Sequence, residues 1–441
     1  MPRGRLGATC AGCPLAHASA TDGVTGLDAR GAGSAGVQAP KKHRAGTHRI
    51  VSPEETLESV RPFFPVMGIT RVADITGLDV IGLPVITVCR PNSRSVAVSL
   101  GKGLDPAAAR ASGVMESIEG FMAERITRPL VLGSVNDLRS SHPLVDVDRL
   151  PRTAGSAYHA DAPLLWIEGR ELLTGTPRWV PYEMVHTAYT VPRPTGTGCF
   201  LASSNGLASG NHLLEAISHA ICETVERDAA TLHSVRAPRD AASRRIDART
   251  VDDPGCLEAL GRLDRADMSA AIWDITSDVG IPAFTGRIAE RSQAPAVPAR
   301  DAEGMGCHPD RNVALLRALT EAAQSRLGHI SGARDDPSGW EHAYGTDDEP
   351  PASPADDLAG AGTRDFTAVP VFEGDSFDAD VAWELEALRS AGISEVVAVD
   401  LTHEDFGIPV VRVIVPGLEG PVTTIPECRL GQRAAQLTGS R

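Results

Sequence analysis

No apolar run in the 441 residues approaches the roughly 18 that a membrane-spanning helix needs, so no transmembrane segment is expected. Positive charge is not in surplus either: 57 acidic against 42 basic side chains leave a formal charge of −15. That balance argues against nucleic acid or an anionic membrane as the main partner, while leaving room for a local basic pocket that takes phosphate. Two arginines near the start are not followed by an apolar stretch, so a secretory signal is lacking and the expected location is cytoplasmic. Eight scattered cysteines fall short of the density of a disulfide framework. Cys10 and Cys13 form a lone C-x-x-C; a zinc site would need a second pair, and with only His17 and His43 nearby they read as incidental. Aromatics are sparse at 4%, yet 42% hydrophobic residues support a real core.

Familiar catalytic signatures are missing as well. "SLGKG" (Ser99 to Gly103) is glycine-flanked and offers Lys102 to an anion, but it is not the G-x-x-x-x-G-K-[ST] of a P-loop. Neither a nucleophile motif, a zinc-type histidine pair nor a dinucleotide-binding fingerprint appears elsewhere.

What is present reads as an α+β chain of mixed sheets and long helices. Residues 1–40 are rich in Gly and Ala and low in bulky apolar groups, as in a disordered extension. Order is expected from "THRIVSPEETL", where Ser52 and Glu55 have capping-box spacing and Pro53 suits a first helical turn. Strands are expected across "VADITGLDVIGLPVITVCRP" and "SRSVAVSLGKG", then a helix over 105–126 capped by Asp105 with Pro106 leading it. Short strands and loops fill about 129–205, followed by a long helix from Asn211, two strands in "MSAAIWDITSDVGIPAFTGRI" and a third long helix in "RNVALLRALTEAAQSRLGHI". An acidic, Pro-containing stretch at 335–362 reads as a surface insertion. "DVAWELEALRSAG" is expected as a helix, with strands in "EVVAVDLT" and "IPVVRVIVPG". The domain assignment is 41–425, with 426–441 as a tail; no repeat at a fixed period is visible.

The helix from Asn211 poses a physical problem. Glu215, Glu223 and Glu226 project at roughly 0°, 80° and 20° around a helix that turns about 100° per residue. Like charges on one stripe repel, yet this stripe borders the apolar Leu214, Ile217, Ile221 and Val225. The helix at 105–126 repeats the pattern: Glu116 and Glu119 flank Met115, Ile118 and Met122. Cations would remove the repulsion, and Mg2+ characteristically sits between carboxylates and substrate phosphate. The bland alternative is a pair of solvated faces bridged by Arg125 and Arg227. On the third helix Arg317, Glu321 and Gln324 share a face, which is either an ordinary i,i+4 ion pair or a phosphate-facing group.

Four stretches together resemble a YcaO domain: "GITRVADITGLDVIGLPV", "SLGKGLDPAAARASGVMESIEGF", "SSNGLASGNHLLEAISHAICETVERDA" and "GCHPDRNVALLRALTEAAQSRL". The likeness covers about 40–420, and its paired glutamate motifs are specific. The resemblance implies a P-loop-free fold that binds ATP and Mg2+ and activates peptide backbone amides. It implies metal contacts from Glu116, Glu119, Glu215, Glu223 and Glu226, and phosphate contacts from Asn211, Arg227 and Arg317. Lys102, Ser112 and Gln324 would line the nucleotide pocket, with Arg317 and Glu321 as the catalytic candidates. Gly120 departs from the family, in which many relatives have arginine after the second glutamate.

In the chemistry so implied, a nucleophile adds to the amide carbon, the oxyanion takes the γ-phosphoryl group, and phosphate leaves with the oxygen. A Cys, Ser or Thr side chain as nucleophile gives an azoline, sulfide gives a thioamide and a backbone amine gives an amidine. The C-terminus lacks the P-x-P-x-P of azoline-forming members, and "THRIVSPEETL…GITRVADITGLDVIGLPV" resembles the branch paired with a TfuA-type partner, so a thioamide is expected. A peptide or protein substrate, a TfuA-type partner and a homodimer are the implied associations. Azoline formation and a non-catalytic nucleotide-binding scaffold are the competing readings; five intact motif glutamates argue against the scaffold.

Overall fold

Glycine and proline decide where this chain turns and how closely its layers meet. A computed structural model describes residues 39–291, 301–332, 358, 361–421 and 429–439. The extension at 1–38 with its C-x-x-C, nearly all of the acidic stretch and the start of the tail lie outside the described residues.

The expected capping box opens α1 (Pro53–Val60): Ser52 Oγ accepts from the Glu55 N–H at 3.2 Å and the Glu55 carboxylate accepts from the Ser52 N–H at 2.9 Å. After the short α2 (Phe64–Met67), β1 (Arg71–Asp74), β2 (Val85–Cys89) and β3 (Val98–Lys102) form an antiparallel sheet. Next comes α3 (Pro106–Ala123), capped as expected by Asp105, whose Oδ1 accepts from the Ala107 and Ala108 N–H groups at 2.9 Å. Strand β3 lies against α3 at backbone distance, because a Cβ on Gly101 would stand 2.1 Å from the Ala109 carbonyl oxygen.

A second sheet carries the middle of the chain. It contains β4 (Leu130–Gly133), β5 (Leu164–Glu171), β6 (Pro177–Pro181) and β7 (Leu207–Ser209), with the short α4 (Val135–Leu138) after β4. The long helix is α5 (Leu213–Ser234), followed by α6 (Pro238–Ser243) and α7 (Pro254–Arg265). Then β8 (Met268–Asp274), β9 (Ala283–Glu290) and β10 (Ala302–Cys307) form another three-stranded antiparallel sheet and lead into α8 (Arg311–Ser331). Helix α9 (Phe377–Ser390) precedes β11 (Val397–Asp400) and β12 (Val410–Ile414), which complete the six-stranded sheet in the order β4-β5-β11-β12-β7 with β6 beside β5. A last helix, α10 (Gln432–Thr438), docks on α5 with Ala434 buried and Arg433 bidentate to Asp228. No helix among the described residues is long and apolar enough to cross a membrane.

The six-stranded sheet is covered on both faces. Val411 and Val413 of β12 pack with Ile217, Ile221 and Val225 of α5, whereas Val410 and Ile414 join the cluster that contains Ile118 and Met122 of α3. The two carboxylate-bearing helices thus approach one sheet from opposite sides.

No fixed-period repeat is visible in the sequence, but the structure contains one unit twice. Both β1-β2-β3-α3 and β8-β9-β10-α8 are three-stranded meanders whose last strand runs through G-x-G-x-x-P into a long helix. In the second unit a Cβ on Gly304 would stand 2.2 Å from the Ala322 nitrogen, and one on Gly306 would stand 2.1 Å from the Ala314 oxygen. The shared residues are those that set backbone approach; the rest of the two sequences differs. Strand β10 escapes detection from sequence because "AEGMGC" carries two glycines and no alternating apolar pattern.

Position 120 also finds an explanation. A Cβ on Gly120 would stand 3.0 Å from Nη2 of Arg90, so this guanidinium already occupies the space beside it. Arg90 donates to both oxygens of buried Glu124, at 2.6 and 2.7 Å, and Ser93 and Ser95 add hydroxyl donors. Burial works against the Glu124 charge, but these donors hold its pKa down at about 2. Glu124→Gln should therefore leave Arg90 charged, buried and poorly paired, at a cost of about 3–5 kcal/mol in chemical denaturation. The double replacement Arg90→Met with Glu124→Leu should restore most of that loss; a single variant as stable as the wild type would refute the assignment.

Candidate functional site

Three helices bring the charged residues together. Glu119 on α3 is joined to the start of α5 through Ser209, the last residue of β7, whose N–H and Oγ–H donate to its Oε1 at 2.8 and 2.7 Å. Glu116, one turn earlier, is exposed and acts on Glu119 through its charge. On α5, capped by His212, Glu215 is 1% exposed; its Oε2 accepts from the Ile50 N–H at 3.1 Å, and Arg49 Nε stands 3.6 Å from its Oε1. Asn211 donates through Nδ2 to the Thr56 hydroxyl at 3.0 Å. Glu226 meets Nη2 of Arg227 at 3.4 Å, while its buried Oε2 has no partner among the described residues.

Helix α8 supplies the third side. Glu321 forms a short ion pair with Lys102 of β3 and accepts from the Met305 N–H at 3.2 Å. Arg317 points elsewhere, with Nη2 2.9 Å from Nε2 of His219 on α5, so the two residues do not form the i,i+4 pair that their spacing allowed. The solvated-face alternative holds in part: Glu116 is exposed and Arg227 pairs with Glu226, but Arg125 binds Glu124 rather than Glu119. Ser112 and Gln324 lie half-buried on α3 and α8, and no hydrogen bond among the described residues ties either to the carboxylates. Sequence reasoning did not single out Arg49, His219, Ser209 or Thr56. Arg49 and Thr56 precede the motifs and Ser209 carries no spacing signal of its own, whereas His219 stands four residues from both Glu215 and Glu223, inside the stripe itself.

Electrostatics reflects crowding away from water. Burial raises Glu119 to about 8, with Glu116 and Glu223 adding repulsion against the Ser209 hydrogen bonds. Burial likewise lifts Glu223 to about 7 despite Arg227, with Glu226 adding repulsion. Glu226 is raised by burial and by Glu321, with Arg227 opposing. Glu321 also suffers burial, but Lys102 and Arg227 prevail and hold it at about 2. His219 stays neutral because burial and Arg317 both disfavour its charged form.

Carboxylates that bind protons near neutrality are a donor set short of positive charge. Among the described residues no three His, Cys, Asp or Glu side chains converge to cage an ion by themselves. Mg2+ usually takes one or two carboxylates and completes its shell with water and phosphate. Spread glutamates with an orphaned Glu226 oxygen, facing Arg227, Arg317 and Lys102, fit ions shared with a polyphosphate.

A family model described as YcaO cyclodehydratase, ATP- and Mg2+-binding, matches residues 100–419. The chain is 36% identical over 404 residues to the uncharacterized protein in the tfuA 3' region of Rhizobium leguminosarum bv. trifolii, covering 88% of this chain and 92% of the relative. It is 34% identical over 401 residues to a protein of Methanothermobacter thermautotrophicus, covering 87% and 98%. Among solved structures, YcaO from Methanopyrus kandleri bound with AMPPCP and Mg2+ superposes with a TM-score of 0.66 at 21% identity, over 89% of this chain and 98% of that one. A heterocyclase in complex with substrate and cofactor also gives 0.66, at 22% identity over 89% of this chain; the match spans 55% of that longer chain.

The raised carboxylates fix the sign of a pH effect. The folded protein holds a proton on Glu119 up to about pH 8, whereas the unfolded chain releases it near 4.5, so unfolding above neutrality releases protons. Stability without nucleotide or Mg2+ should therefore fall as pH rises from about 7 to 9, above the histidine range. Thermal unfolding in chelator should show that fall, and Glu119→Gln should flatten it. A profile that rises over the interval, or an unchanged slope in the variant, would contradict the electrostatics.

Proposed function

The chain belongs to the YcaO family, and on that premise we propose an ATP- and Mg2+-dependent enzyme that phosphorylates the oxygen of a peptide backbone amide. The observation that carries this reading is the convergence of desolvated glutamates from α3 and α5 with Arg227, Arg317 and the Lys102–Glu321 pair. Bound Mg-ATP supplies the phosphoryl group and the cations. Glu116, Glu119, Glu215, Glu223 and Glu226 hold the metal ions, and Asn211, Arg227 and Arg317 hold phosphate oxygens. Lys102, Ser112 and Gln324 border the nucleotide, with Lys102 fixed by Glu321. Arg317, oriented by neutral His219, stabilises charge on the transferring group in a site where water is scarce.

The nucleophile proposed is sulfide, giving a thioamide with a TfuA-type partner. Support comes from the relative in the tfuA 3' region, which matches nearly end to end. The family description and the heterocyclase similarity favour ring closure instead, through a Cys, Ser or Thr of the substrate. Both routes share the phosphorylated oxyanion, so the glutamates serve either.

Two measurements test the proposal. Glu226→Gln should weaken Mg-ATP binding about tenfold or more by calorimetry while leaving the fold intact, because it removes one anionic ligand. Unchanged affinity together with unchanged turnover would exclude the assigned site. Incubating the chain, its TfuA-type partner, Mg-ATP, a sulfide source and peptide should add about 16 Da, oxygen replaced by sulfur, whereas cyclodehydration removes about 18 Da as water. A sulfide-independent loss of water would replace the thioamide reading with the heterocyclase one.

A further inference from the structure

One charged residue stands where the fold calls for an apolar one. Arg412 lies between Val410 and Ile414 on the same face of β12, both in the core cluster, and is itself only 2% exposed. Its Nη2 donates to the Ser203 carbonyl at 2.7 Å. Its Nε and Nη1 are buried and have no partner among the described residues. The same is true of Oδ1 of Asn205, two residues beyond Ser203. Arg412 and Asn205 line one cavity with Ser203, Thr224, Met184 and Leu418. Its volume is about 30 Å³, room for a species the size of one or two waters.

The cavity lies next to α5, whose Thr224 forms part of its wall. Thr224 follows Glu223 in sequence, and Arg412 and Glu223 lie close enough to act on one another electrostatically, as do Arg412 and Tyr189. Burial lowers the Arg412 guanidinium to about 10, so it keeps its charge at neutral pH. Glu419, the other charged residue at the cavity, is spoken for: its two oxygens accept from the Gly431 and Ala434 N–H groups at 2.6 and 2.9 Å.

We propose that Arg412 and Asn205 form the binding site of the small anionic nucleophile, hydrosulfide, beside Glu223. The assignment rests on the thioamide reading above and adds where the sulfur waits. Three properties select the occupant. A volume of about 30 Å³ favours a small occupant. The guanidinium selects negative charge, and the apolar part of the wall, with Met184, Leu201, Val413 and Leu418, suits a polarisable, weakly hydrated ion. Hydrosulfide accepts from the Arg412 N–H groups through sulfur and donates its single S–H to the Asn205 oxygen. From there sulfur adds to the amide carbon as the carbon–oxygen π bond becomes the oxyanion that takes the phosphoryl group. Loss of phosphate, which carries away the oxygen and the thiol proton, leaves C=S.

The test is anaerobic calorimetry of sodium hydrosulfide into the full chain. Wild type should bind one equivalent saturably; Arg412→Met should lose binding, and Asn205→Leu should weaken it about tenfold while Mg-ATP affinity stays within about twofold. Circular dichroism and Mg-ATP binding establish that each variant is folded, and Asn205→Leu carries the test if Arg412→Met is not. Sulfate, a larger anion, should not compete at equal concentration. No saturable binding by wild type, competition by sulfate, or equal binding by a folded Arg412→Met would each overturn the site. In turnover, the variants should raise the KM for sulfide more than they lower kcat. A thioamide formed by Arg412→Met with unchanged sulfide dependence would sink the site and leave the reaction standing. Absence of thioamide from wild type would sink the reaction, while calorimetry still reads the site.

Discussion

Everything at the candidate site depends on how closely two helices can lie on their sheets. Helices α3 and α8 approach β3 and β10 at backbone distance because glycine stands at 101, 304 and 306. That approach brings Lys102 of one unit within reach of Glu321 of the other and lets Met305 donate to the same carboxylate. Helix α5 closes the third side, held to α3 by Ser209 and Glu119. With larger residues at those positions the helices would have to move outward and the charged groups would separate.

Desolvation is the second theme. Glu119 and Glu223 are taken from water without enough protein cations to balance them, and the outcome is protonation near neutrality rather than firm ion pairing. Glu321 shows the contrast, because a lysine and an arginine keep it ionised under similar burial. A site of this kind gains most from a ligand that brings positive charge, and an ion accompanied by a polyanion satisfies the arginines at the same time.

How much of this was legible beforehand follows from what each signal encodes. Caps at Ser52 and Asp105, the strands of the first meander, the long helices and the glutamate stripes all arise from local rules, and the structure carries them. Strand β10 was hidden by the glycines that make it useful and α10 lacks a long periodic run, whereas α7 carries its own signal in the Asp253 cap, Pro254 and the spacing of Cys256, Ala259, Leu260 and Leu263. Partners remote in sequence were not readable either. Arg49 reaches Glu215 across 166 positions, Arg90 fills the space at Gly120, and Arg412 lies buried in a strand that reads simply as apolar. The ordinary i,i+4 expectation for Arg317 and Glu321 gave way because each found a better partner on another element.

The glycine at 306 has a role beyond docking. A Cβ there would stand 2.7 Å from Cβ of Arg317, so the strand's bare backbone also sets how far that arginine's root stands from the sheet. In the equivalent unit, Gly101 meets Ala109 and Gly113, about two turns and one turn before the acidic pair. The two units thus share one ruler, marked off in backbone contact, but carry different groups against it: carboxylates on α3, a guanidinium and a carboxylate on α8. Divergence could alter what each helix carries while the spacing between strand and helix stayed the same.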